Sequence, residues 1–142
     1  MTSPEIYQRA LLELARSKAG VGQLSKADGR ATLDNPLCGD EVTFEVLLRG
    51  DRIAELGRKV RGCVLCEASA ALIGRAALGA SASELSQARE QALAVLRAEP
   101  ASPSGGFADL KLFSPVHEVP SRYRCVLLPF DALEEALAKA GR

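Results

Sequence analysis

Val42-Thr-Phe-Glu-Val-Leu-Leu-Arg-Gly-Asp51 is the stretch whose pattern decides the fold. Val42, Phe44, Val46 and Leu48 alternate with Thr43, Glu45 and Arg49, the period of two that marks a half-buried strand. Leu47 breaks the alternation on the polar face. Gly50-Asp51 is a tight-turn signal, so Ile53 to Val60 is expected to return as the paired strand. Upstream, Ala31 to Leu37 supplies a short first strand that ends at Pro36. The expectation is an antiparallel meander of about three strands, a common size for a small sheet.

Helical spacing flanks the meander on both sides. Residues 4 to 16 place Ile6, Ala10, Leu11 and Leu14 on one face, with Ser3 as cap and Pro4 in the first turn. Ser17 to Gly29, with three glycines, reads as a surface loop. From Cys66 the pattern is again helical through Ala68, Ala71, Leu72, Ala76 and Leu78, and Gly79 can stop it. Ser83 with Glu84 opens another helix carrying Leu85, Ala88, Ala92, Val95 and Leu96. Pro100 to Gly106 is a break, Phe107 to Phe113 a short helical piece, and the last helix starts near Leu128 or Asp131. The fold class is therefore α+β: a small antiparallel sheet packed by an N-terminal helix and several C-terminal helices, in one domain spanning residues 1–142.

The 18 basic residues balance the 18 acidic ones, which removes the global argument for a nucleic-acid or anionic-membrane partner. No apolar run is long enough for a membrane span. Met1-Thr-Ser-Pro-Glu5 has neither a basic head nor an apolar core, so no signal peptide is expected and the chain is placed in the cytoplasm. Thiols stay reduced there, and four cysteines favour metal or sulfur chemistry over disulfides.

Those four cysteines fall at three places: Asn35-Pro-Leu-Cys-Gly-Asp40, Gly62-Cys-Val-Leu-Cys66 and Arg124-Cys125. Zinc and iron–sulfur clusters both want about four soft donors. One C-x-x-C with two isolated partners requires the fold, rather than a local loop, to gather them. Gly39 lets the backbone turn so that Cys38 and Asp40 face one point. Cys63 sits between a strand and a helix, where backbone N–H groups favour thiolate. Arg122 and Arg124 flank Cys125 and favour its ionised form. For Cys66, ligand and core filler stand as equal alternatives. His117, the single histidine, reads as a surface residue.

Several other chemistries fall away. A thioredoxin-like use of Cys63 and Cys66 lacks the expected βαβ pattern. A cysteine hydrolase would need a histidine base with an orienting partner, and none accompanies His117. No phosphate-binding glycine loop is present, and Arg49-Gly50-Asp51 is simply the hairpin turn.

With these sites placed, the chain resembles the iron–sulfur cluster scaffold family that includes IscU, SufU and the N-terminal domain of NifU. The matching pieces are Asn35 to Asp40, Gly62-Cys63 with Ala68-Ser69-Ala70, and Cys125 followed by Val-Leu-Leu-Pro129. The resemblance runs from the first helix to the last. It is strongest toward SufU, because a long insert around Ser81 to Gly106 separates the later cysteines, and because Ser114-Pro-Val116 and Pro120-Ser-Arg122 are similar.

The resemblance implies Cys38, Asp40, Cys63 and Cys125 as ligands, with Cys66 a possible fifth donor where the family usually has serine. It implies an iron–sulfur cluster, of the 2Fe-2S kind, or alternatively zinc. It also implies a cysteine desulfurase as sulfur source, with apo iron–sulfur proteins or later assembly proteins as recipients. The chain is then a carrier rather than an enzyme, with sulfur transfer as an associated activity. It departs from IscU in carrying Arg124 before the last cysteine and Glu13-Leu14 in place of an Asp-His pair. The prolines of the IscU chaperone motif are also absent.

Overall fold

The computed structural model describes residues 3–37 and 39–141, with side chains from Gln8 onward. The expected meander is present as β1 (Gly29–Asn35), β2 (Asp40–Arg49) and β3 (Arg52–Arg61), antiparallel and in chain order. Thr43 lies opposite both Thr32 and Lys59, and Asn35 opposite Asp40. The register shifts between Leu47 and Leu48, where the sequence alternation breaks. The extra residue is Ala54 on β3, passed over between Glu55 opposite Leu47 and Ile53 opposite Leu48, so β2 itself runs on without an insertion.

The apolar face of β2 is covered by the last helix, α4 (Tyr123–Ala140), which also crosses β1. Gly29 makes that crossing possible, because a Cβ there would collide with the Ala136 carbonyl. Of the other helices, α2 (Val64–Ala76) packs on α4 and β3, α1 (Ser3–Ala15) on α2, and α3 (Ala82–Leu96) on α4. Val42, Phe44, Leu72, Ile73, Leu128 and Leu133 are buried together at the junction. Burying each such side chain contributes about 1.5–3 kcal/mol. Among the described residues no helix is long and apolar enough to cross a membrane.

The loop after α1 is fixed to the edge of β3 by Arg58. Its Nε donates to the Ala19 carbonyl at 2.7 Å and its terminal nitrogen to the Ser17 carbonyl at 3.0 Å. Burial lowers the Arg58 pKa, while the nearby Glu67 charge partly offsets the loss of water.

Several boundaries differ from the sequence expectation, α2 among them, which runs from Val64 to Ala76 rather than from Cys66 to about Leu78. β1 ends at Asn35 rather than Leu37, because the chain is already turning: the Leu37 N–H donates to Asn35 Oδ1 at 3.2 Å and the Gly39 N–H to the Asn35 carbonyl at 2.8 Å. The cap of α3 is Ser81 rather than Ser83. Its hydroxyl accepts from the Glu84 N–H at 3.2 Å while Glu84 Oε1 accepts from the Ser81 N–H at 3.2 Å, a closed capping box. A 3₁₀ stretch runs over Gly105–Glu118, longer than the piece expected at Phe107 to Phe113. Most consequentially, α4 begins at Tyr123 and takes Pro129 into its interior. Val126, Leu127, Leu128 and Phe130 around that proline are all buried, and their packing outweighs its helix-breaking tendency.

Candidate metal centre

Asp40 opens β2 and is 1% exposed. Its carboxylate is aimed across the sheet end at the turn between β3 and α2. Oδ1 accepts from the Cys63 backbone N–H at 2.9 Å, and Oδ2 lies 3.7 Å from Cys63 Sγ. The approach depends on Gly62, where an added Cβ would stand 2.6 Å from Asp40 Oδ1.

Cys63 is the N-cap of α2, with extended backbone (φ −71°, ψ 170°), and its carbonyl accepts the Glu67 N–H at 2.9 Å. Its thiol makes no capping hydrogen bond to the helix; it is turned toward Asp40, with the unpaired N–H end of the helix behind it.

Cys125 arrives from the far end of the chain. The early start of α4 places it in the first helical turn and buries it fully, rather than leaving it ahead of the helix. Ser69 couples its helix to that of Cys63: the buried Ser69 hydroxyl donates to the Val126 carbonyl at 2.6 Å.

One ligand atom each from Asp40, Cys63 and Cys125 lies within 4.8 Å of the other two. A metal–sulfur bond is about 2.3 Å, so donors on a single ion stand at most about 4.6 Å apart. The three atoms are at that scale. Two thiolates and a carboxylate suit zinc and iron alike, and exceed what a hard cation such as magnesium favours.

Arg122 closes the outer side. Its pKa is raised, first by hydrogen bonding to Cys63 and then to Cys125, so its guanidinium stabilises negative charge on both sulfurs. Arg124, expected to share this task, turns away to Asp131, with a nitrogen 3.4 Å from Oδ2. The same carboxylate holds Arg89 at 2.7 Å. With α4 beginning at Tyr123, Arg124 and Asp131 stand two turns apart on one helical face.

Cys66 lies one turn below Cys63, in the core and outside the gathered group. Burial, followed by the charges of Asp40, Cys63 and Cys125, pushes its thiol far above the ordinary range. His117 is exposed in the 3₁₀ stretch, and its carbonyl accepts from the Tyr123 hydroxyl at 2.9 Å. Cys38, the first cysteine named from the sequence, lies outside the described residues. Sequence reasoning did not assign the roles of Gly62 and Ser69, although both stand in the pieces that carried the resemblance.

The profile of the NifU-like N terminal domain matches residues 6–104, which contain Asp40, Cys63 and Cys66 but stop short of Cys125. Similarity to single proteins reaches further. An iron–sulfur cluster assembly scaffold protein IscU of Thermotoga maritima is 30% identical over 137 residues, 96% of each chain. The zinc-dependent sulfurtransferase SufU of Bacillus subtilis is 22% identical over 94% of this chain and 90% of its own. Among solved structures, a NifU-like protein (N-terminal) from Brucella abortus superposes with a TM-score of 0.89 and 35% identity. That match covers 96% of this chain and 95% of the other.

Proposed function

Because the chain belongs to the family of NifU-like N-terminal domains, we propose that it is an iron–sulfur cluster assembly scaffold. It accepts sulfur from a cysteine desulfurase, binds iron, and holds a 2Fe-2S cluster for transfer to apo acceptor or later assembly proteins. The observation that carries this reading is the meeting of Asp40, Cys63 and Cys125, residues remote in sequence, within 4.8 Å. Cys38 joins them as the fourth ligand in this reading. The whole chain acts as one such domain in the cytoplasm, as a carrier rather than an enzyme.

Each residue has a distinct task. Cys63 is the one of the three gathered donors with appreciable surface, so sulfur enters there. Its thiolate attacks the outer sulfur of the desulfurase persulfide and takes it, while the donor cysteine leaves as thiolate. Arg122 stabilises the anionic sulfur at this position. Asp40, a hard donor among soft ones, holds the iron cargo less firmly than a further thiolate would and so favours release.

Anaerobic reconstitution with ferrous iron and sulfide tests the reading. The wild type is expected to develop thiolate-to-iron absorption and acid-labile sulfide, and Cys125→Ala and Cys38→Ala to lose most of both. Absence of the absorption in the wild type, or its persistence in both variants, would overturn it.

The likeness to the SufU of B. subtilis favours a second reading, in which Asp40, Cys63 and Cys125 hold zinc and the chain acts as a sulfurtransferase partner of the desulfurase. Metal analysis of freshly purified protein separates the two. Stoichiometric zinc that resists exchange for iron supports the second, and brown protein with labile sulfide the first.

A further inference from the structure

We propose that Cys63 and Cys66 form an internal persulfide-reducing pair, which turns the sulfur received at Cys63 into hydrosulfide. The inference rests on the reading that Cys63 takes up sulfane sulfur, and adds a chemical step to it.

A persulfide carries sulfur at the oxidation level of the element, whereas an iron–sulfur cluster contains sulfide. Two electrons must therefore be supplied. A nearby thiol supplies them by attacking the inner sulfur of the persulfide. The chain has four cysteines, and the proposed ligand set of Cys38, Asp40, Cys63 and Cys125 leaves only Cys66 uncommitted.

Its position fits the task. Cys63 is the N-cap of α2 and Cys66 the third helical residue, so the two stand across the first turn on one side of the helix. Gly62 covers Cys66 closely, and a Cβ on that glycine would be 3.2 Å from the Cys66 Cβ. Cys66 is fully buried beneath this turn, whereas Cys63 retains surface. An external thiol thus meets the sulfur on Cys63, while Cys66 meets it only from inside.

The step balances. Cys66 Sγ bonds to Cys63 Sγ, the bond from Cys63 Sγ to the outer sulfur breaks, and that sulfur leaves with its electron pair. The outer sulfur, anionic in the persulfide, takes the Cys66 proton as the thiol attacks, so no thiolate has to form on Cys66 beforehand and the product is hydrosulfide. Two thiol sulfurs are oxidised to a disulfide and one sulfane sulfur is reduced. A dithiol reductant resets the pair by ordinary exchange.

The full chain, stripped of metal by a chelator, can be loaded with inorganic polysulfide, desalted and followed by hydrosulfide trapping and disulfide mapping. The wild type is expected to release stoichiometric hydrosulfide and to gain a Cys63–Cys66 disulfide. Cys66→Ala is expected to keep the extra sulfur on Cys63 and release it at least about tenfold more slowly. Equal release from Cys66→Ala overturns the proposal, as does a wild-type disulfide joining Cys63 to Cys38 or Cys125. The wild-type map decides the matter even if the variant folds poorly. Repeating the loading with a cysteine desulfurase and cysteine separates the two readings. Sulfur taken from polysulfide but never from the desulfurase overturns the scaffold reading and leaves the pair chemistry supported.

Discussion

The backbone N–H of Cys63 donates to Asp40 Oδ1 at 2.9 Å, so the carboxylate that faces the thiols also anchors the first turn of α2. Ligand and scaffold are thereby the same group. Asp40→Asn keeps an acceptor for that N–H but removes the charge. It is expected to lower metal affinity by about ten- to a hundredfold, the usual scale for disturbed ligand support. Thermal unfolding in chelator should change much less than in metal, and competition titration with a chromophoric chelator reads the affinity directly.

Gly62→Ala probes the same contact from the other side. The new methyl would stand 2.6 Å from Asp40 Oδ1 and 3.2 Å from the Cys66 Cβ, so one of the two must move. Overpacking of this kind costs about 1–3 kcal/mol. The expected outcome is a lower melting temperature together with weakened metal binding. Unchanged affinity would show that the Asp40 carboxylate is not held where the metal is proposed to bind.

Ser69→Ala and Ser81→Ala form a contrasting pair. The Ser69 hydroxyl joins the helix of Cys63 to the helix of Cys125 at 2.6 Å, whereas Ser81 caps α3 away from the site. Each loss is expected to cost about 1 kcal/mol in denaturant unfolding. Only Ser69→Ala should also loosen metal binding, because only it lets the two sulfurs drift apart.

Much of this arrangement was legible in the chain itself. The alternation from Val42 to Leu48, the turn at Gly50-Asp51 and the helical spacing from Cys66 are local patterns, and local patterns survive into the structure. Pro129 misled, because its cost in helix propensity is local while the burial of Phe130 and Val126 that outweighs it is not. From that one boundary follow the burial of Cys125 and the loss of Arg124 from the task it was expected to share with Arg122. Ser81 and Ser83 present the same cap chemistry near Glu84, and only the spacing of three completes the capping box. The fold decides which of several chemically suitable residues reaches the sulfurs; the sequence shows only that they are available.

X-ray absorption at the metal edge of zinc- or iron-loaded protein tests the central claim most directly. If Asp40, Cys63 and Cys125 share one ion, the nearest shell contains sulfur at about 2.3 Å together with a lighter donor. Cys63→Ser should then lower its sulfur content. A shell of oxygen and nitrogen alone, or one unaltered by that substitution, would contradict it.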